Sequence, residues 1–145
     1  MFVVKNSDYK ARVANIFVSA RFIQDVGYRL RGCGPGWCET ELAVEPRHWQ
    51  QDGFVHAGVQ ATMADHTAGA AAGTLMRVDE LVLTVEFKIN LLRTAVADRL
   101  FCRADVLRPG RQLTVVESSV FAVVGEKQTL VSKAIVTLAL VQQVK

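Results

Sequence analysis

From Ser7 to about Gln24, apolar residues recur at three- and four-residue steps: Tyr9, Val13, Ile16, Phe17, Ala20 and Ile23. That period predicts an amphipathic helix over about 7–26 lying on another layer, with Ser7 as its N-cap. Its polar face mixes Arg and Lys with Asn15, Gln24 and Asp25, which suits a solvated face better than a membrane surface. Gly32-Cys33-Gly34-Pro35-Gly36 forces a turn, and Trp37 to Val44 reads as a first strand. A polar loop then leads into Val59 to Leu75, which is free of proline and made almost wholly of Ala, Gly, Thr and Met; a central helix is expected over about 58–75.

Beyond it, Glu80–Leu92, Leu100–Leu107, Gln112–Val123 and Thr129–Val141 are rich in Val, Leu, Ile, Phe and Thr. Plausible turns at Thr94–Asp98, Arg108-Pro109-Gly110-Arg111 and Gly125-Glu126-Lys127 part them, so the four are expected to pair in chain order as an antiparallel meander. One early strand, one long helix and a meander make an α+β fold of one domain spanning 1–145, in which a curved antiparallel sheet wraps the central helix. Gly58, Ala61, Asp65, Ala68, Gly69 and Ala72 share one helical stripe, and small side chains there would let the sheet approach closely.

Composition narrows the picture. The 145 residues are 50% apolar and 21% charged, enough for a single core without staples. Lys and Arg number 17 against 14 Asp and Glu, a net +3 with the basic residues scattered, which argues against nucleic acid as a partner. No run approaches a membrane span, and Lys5, Asp8, Lys10 and Arg12 interrupt the start of the chain too early for a signal-peptide core. Cys33, Cys38 and Cys102 are an odd count without a paired metal spacing; reduced thiols in the cytoplasm, and no metal site, are expected.

Two features carry chemistry. Asp65 stands amid the Ala/Gly stripe, where a buried carboxylate is costly or shifts its pKa upward. The segment ending His56-Ala57-Gly58 runs straight into the helix, so the N–H groups of Ala57 and Gly58 lie at its first turn, where developing oxyanions are stabilised. Ala57 and Asp65 are separated by ~12 Å along one helix. They cannot grip one carbonyl carbon from a single chain, so a C2 dimer with composite sites is expected.

His56-Ala57-Gly58-Val59-Gln60-Ala61-Thr62-Met63-Ala64-Asp65 resembles the H-G-G-x-x-x-x-L-A-D signature of hotdog-fold acyl-CoA thioesterases, in the phenylacetate-pathway (PaaI-like) branch. Thr84 to Ala95 is similar to that family's next strand and its "FLRPA"-like ending, without the proline, and Arg108–Arg111 to its later turn. The likeness runs from about Gly36 to Val141 and leaves the N-terminal helix outside. It implies a hydrolase acting on acyl-CoA, with Asp65 as general base or nucleophile and the residue 57 amide in the oxyanion hole. Ala57 replaces the usual Gly and keeps the N–H. Gln50 stands where that branch carries Asn and would hold the carbonyl or attacking water, and Thr84 would be the strand hydroxyl opposite the carboxylate. The family pairs subunits so that one chain's amide faces the other's carboxylate, implying a homodimer that can pair into a homotetramer. No cofactor is implied, since coenzyme A is part of the substrate.

His56 is the rival general base, though its place before a helix start also suits a structural role. His48 and His66 read as surface or interface residues, and Glu86 as an outward, solvated side chain. Arg93, Arg108 and Arg111 are the basic residues placed to meet the CoA phosphates, while Phe54 and Met63, with Leu75 and Met76, are candidates for an apolar acyl pocket. Two other functions remain open on the residues: a non-catalytic acyl-CoA-binding hotdog module, and a hotdog hydratase or dehydratase.

Overall fold

The structure, a computed structural model, describes residues 1–144. Strands β1 (Arg29–Gly34), β2 (Trp37–Ala43), β3 (Glu80–Leu91), β4 (Arg99–Pro109), β5 (Leu113–Val124) and β6 (Lys127–Gln142) form one antiparallel sheet in the order β1-β2-β4-β5-β6-β3. Helices α1 (Tyr9–Ser19) and α2 (Arg21–Val26) precede it, and α3 (Ala57–Gly73) lies in its concavity, touching β2 through β6. The expected α+β architecture, a curved sheet around one long helix, is present.

Three expectations at the level of elements are corrected. The N-terminal helix is broken: Ala20 is extended (ψ 98°), the side-chain amide of Gln24 donates to the Val18 carbonyl that the break leaves free, and the second piece still buries Ile23. Its N-cap is Asp8 rather than Ser7, without a side-chain capping bond; Asn6 Oδ1 accepts from the Asp8 N–H instead. The glycine-rich cluster is largely a strand, β1, turned onto β2 through Pro35-Gly36, with Gly36 at φ +80°. The meander is also incomplete. β3 pairs with β6 at the far edge, and residues 92–98 are a crossover to β4: the Leu92 and Arg93 N–H groups donate to Val131 O and the Ala95 carbonyl accepts from Val55.

The enclosed face of α3 differs from the expected stripe. Gln60, Met63, Ala64, Thr67, Ala68 and Ala71 are buried, whereas Gly58 is exposed and Ala61, Asp65 and Gly69 lie at the margin. Thr67 and Ser118 show how closely the sheet approaches: Thr67 Oγ1 meets Thr40 Oγ1 at 2.7 Å, and Ser118 Oγ donates to Ala64 O at 2.8 Å. Asp65 is thus one step around the helix from the packed face, next to the start of β3 rather than under the sheet.

A β-bulge at Val85 sets what β3 presents. Thr84 opposes Leu138 and Glu86 opposes Thr137, so Val85 has no partner and the side-chain alternation reverses. Val82 before the bulge and Ile89 after it pack against the core, Thr84 reaches Asp65 of α3, Phe87 stays 41% exposed, and Glu86 is exposed as expected.

Besides its buried Val13 and Phe17, helix α1 is tied down by one charged side chain. The Arg12 guanidinium donates to Arg77 O (2.6 Å), Val78 O (3.0 Å) and Glu80 O, tying α1 to the segment between α3 and β3. Arg12→Leu is expected to destabilise the protein by about 1–3 kcal/mol, since three carbonyls lose a charged donor. Urea unfolding measures it; an unchanged midpoint would mean that Val13 and Phe17 dock the helix unaided.

Candidate active site

Asp65 and Thr84 meet across the gap between α3 and β3, where Thr84 Oγ1 donates to Asp65 Oδ1 at 2.7 Å. Thr84 reaches because it is the last residue before the bulge. Asp65 Oδ2 makes no hydrogen bond among the described residues. Burial pushes the carboxyl above the ordinary carboxylate range, and the Thr84 hydroxyl opposes that shift. The pair lies on a cleft of about 680 Å³ that also takes in His66, Gly69, Met76, Leu81 and Ile16 of α1. Above Gly69 the space is open: a Cβ built there meets nothing within 4 Å.

The other end of α3 has a separate depression of about 380 Å³, lined by Gln50, Phe54, Ala57, Gln60, Arg93 and neighbours. His56 caps the helix with Nδ1 accepting from the Gly58 N–H at 2.8 Å, so its ring is engaged structurally and Gly58 has no free amide. Of the two amides expected for an oxyanion, only the exposed Ala57 N–H is free of partners among the described residues. The Gln50 side chain turns into its own loop, with Oε1 accepting from the Asp52 N–H and Nε2 donating to Asp52 Oδ2 at 3.3 Å. Neither depression contains both Ala57 and Asp65.

The remaining expected residues divide. Phe54 lines the smaller depression and Met76 the larger cleft. Met63 lines neither: it is 1% exposed, on the sheet-facing side of α3, and belongs to the core. Arg93 borders the smaller depression and donates to Leu130 O at 3.0 Å. Arg108 and Arg111 are exposed at the β4–β5 turn, and that turn lies where β3 begins, because Ala139 of β6 opposes both Leu113 and Leu83. Arg93 is beyond the other end of β3, ~30 Å away along an extended strand. A single chain therefore does not gather the three arginines at one entrance.

Two histidines were misjudged from sequence. His48 is 3% exposed: Nδ1 accepts from the Glu45 N–H (3.0 Å), so Nε2 carries the proton and donates to Val26 O (2.7 Å), fastening the loop before α3 to the end of α2. His66 is half-buried against Phe17, ring centroids 4.8 Å apart and edge to face, and burial pushes its pKa down to about 4. Only Asp65 being next in sequence hinted at it.

Cys38 and Cys102 are buried, Cys33 is partly so, and all three are free thiols. Among the described residues no group of three or more His, Cys, Asp or Glu is placed to hold a metal, and no helix is long and apolar enough to cross a membrane.

Comparison with known proteins bears on the same residues. The model of the thioesterase superfamily matches residues 52–128. A thioesterase family protein from Silicibacter pomeroyi superposes with a TM-score of 0.90 at 34% identity, over 92% of this chain and 98% of that one. A conserved protein from Pseudomonas aeruginosa does so at 0.75 and 31%, over 83% and 93%. Over 65% of this chain and 76% of the relative, the sequence is 26% identical to the 1,4-dihydroxy-2-naphthoyl-CoA hydrolase of Listeria monocytogenes serotype 1/2a (strain 10403S). With the curled sheet, the central helix and a match across Ala57, Asp65 and Thr84, the chain belongs to the thioesterase superfamily, as a hotdog-fold thioester hydrolase.

Proposed function

We propose that the protein is an acyl-CoA thioesterase of the phenylacetate-pathway-like branch, working as a homodimer whose two sites each take Asp65 from one subunit and the Ala57 amide from the other. The observation that carries this reading is the division of the machinery: a half-buried carboxylate held by Thr84 in one cleft, and a free helix-start N–H in another, on the same rigid helix. Antiparallel pairing of two α3 helices brings each element opposite its complement. The β3 edge supplies a means. It has no strand beyond it among the described residues and exposes Leu83 (54%), Val85 (59%) and Leu91 (50%), an edge that a second copy would cover. Two such dimers would pair further into a tetramer.

In this scheme Asp65 Oδ2 takes a proton from water as the water oxygen bonds to the thioester carbon, or bonds to that carbon itself to give, once CoA has left, a mixed anhydride that water then hydrolyses to the free acid and the Asp65 carboxylate. The Ala57 N–H receives the oxyanion, and the C–S bond breaks to release CoA thiolate. Thr84 orients the carboxylate. Gln50, after turning from Asp52, holds the carbonyl or the water, and Arg93 meets the nucleotide phosphates next to the amide, with Arg108 and Arg111 of the other subunit at the facing end. The acyl group occupies the cleft beside Asp65, and no separate cofactor takes part. Three unbridged thiols suit the cytoplasm.

Thiol release from a panel of acyl-CoA esters tests the function. No release from any member, at concentrations where the dimer is present, would overturn it. The pH profile tests the base. Since the base works ionised and its pKa is raised, kcat/KM is expected to fall with decreasing pH, with a midpoint above the usual Asp value of about 3.9. A profile flat down to pH 4 would remove Asp65 from that role.

A further inference from the structure

The turn between β1 and β2 is two residues long, Pro35-Gly36, so Gly34 and Trp37 are the pair that closes it by exchanging hydrogen bonds. Cys33 and Cys38 stand directly opposite each other as the next pair, the kind without hydrogen bonds, in which Cα atoms approach to ~4.5 Å. Trp37 shows which way they point. Its ring lies over Gly32 and Gly34 on the outer side, where a Cβ on Gly34 would strike the indole, so the alternate positions 33 and 38 share the inner face. Accordingly Cys38 is buried in the core, and Cys33 packs beside it, partly exposed. Disulfides span Cα separations of about 4.4–6.8 Å, a range that includes this pair. Cys102 does not compete: it opposes Thr40, two residues along from Ala104 opposite Cys38, a diagonal of ~7–8 Å.

The geometry points to Cys33 and Cys38 as an oxidative modification site, at which a low-molecular-weight disulfide such as glutathione disulfide converts two free thiols to a reversible bridge across the β1–β2 hairpin. Cys33 reacts first, because solvent reaches it and not Cys38. Its thiolate attacks one sulfur of the oxidant and releases a glutathione thiolate. Cys38, once deprotonated, attacks the Cys33 sulfur of the mixed disulfide and expels the second glutathione; the two thiols give up two protons and two electrons, and the oxidant is reduced to two thiols. Burial holds both cysteines above the ordinary thiol range, and the charge of Lys10 opposes that at Cys33, so the bridge forms faster as pH rises. The hairpin has room to adjust, since Gly32 and Gly34 flank Cys33 and the register shifts between Leu30 and Gly32. β1 is the edge of the sheet opposite β3, so a second copy docked on β3 leaves the pair uncovered. No residue assigned to hydrolysis is a cysteine, and the site does not depend on the thioesterase reading.

The tryptic peptide Gly32–Arg47 contains both thiols and no internal Lys or Arg, which makes the test direct. The reduced, folded chain is incubated with glutathione disulfide at mildly alkaline pH, quenched with acid, alkylated in denaturant and digested without reductant. Two of the three thiols are expected to escape alkylation: Gly32–Arg47 should be lighter than its reduced form by two hydrogens, only Cys102 should be labelled, and dithiothreitol should restore both thiols. Cys38→Ser, which lacks the resolving thiol, should stop at a glutathione adduct on Cys33. Full alkylation of Gly32–Arg47 in the wild type overturns the inference, as does a glutathione adduct that persists on wild-type Cys33. So does a bridge to Cys102 or between chains, or one that forms only in the urea-unfolded protein.

Discussion

Asp65→Asn is expected to lower acyl-CoA turnover by about 10²–10⁴-fold while leaving the fold intact, because the amide keeps the shape and the Thr84 contact but cannot accept a proton or attack. The sign of its effect on stability separates this from simple damage. The folded-state pKa of Asp65 lies above its unfolded value, so folding favours the protonated form. That contribution is complete below the unfolded pKa and is lost as pH rises through the folded pKa. At neutral pH the buried charge is a net cost, and Asn removes it. Thermal unfolding of Asp65→Asn at pH 7 should therefore occur at the wild-type temperature or slightly above. Activity close to wild type would remove Asp65 from the chemistry, whereas a clear drop in Tm would show the carboxylate to be structural. Single-turnover hydrolysis in ¹⁸O-water then separates attack by the carboxylate, which labels Asp65, from attack by water, which does not.

Ala57→Pro addresses the composite site. Residue 57 is the first of α3, a position at which proline fits a helix, and His56 before it is extended (φ −59°, ψ 139°), the conformation a following proline favours. The substitution deletes the one free N–H with little disturbance of the backbone, and turnover is expected to fall about 10²–10³-fold. Ala57→Pro and Asp65→Asn chains, each inactive alone, should regain activity when co-expressed. Half of randomly paired dimers are mixed and each mixed dimer has one intact site, which predicts about a quarter of the wild-type rate. If the amide and carboxylate served from one chain, the mixture would stay inactive, and sedimentation of the mixture confirms that the subunits have paired.

Much of this was legible before the fold was known, for local reasons. The Ala/Gly-rich run without proline could only be a helix enclosed by something close. A carboxylate in that run stood out against its neighbours, and eight residues of separation from Ala57 translated directly into distance along the helix axis. Richness in Val, Leu, Ile, Phe and Thr between turn segments marked the four later strands, because composition is a property of chain neighbours alone. β1 escaped notice because Gly32 and Gly34 read as breakers, although pairing with β2 makes it a strand.

What the sequence by itself determined is the central helix and the strands that follow it, the anomaly of Asp65, the amide at the start of α3 and the distance between them, each a consequence of backbone geometry over a few turns. The tertiary structure decided everything that depends on which distant segments meet. It put β3 beside β6 instead of β4, used the Val85 bulge to aim Thr84 at Asp65, and gave the Gly58 amide to His56. It also buried Met63 and His48, and set His66 between Phe17 and the cleft. Periodicity tells that a residue faces inward, but only the packing of one element on another tells what it faces, and hydrogen bonds between residues far apart in sequence leave no mark on the spacing of either.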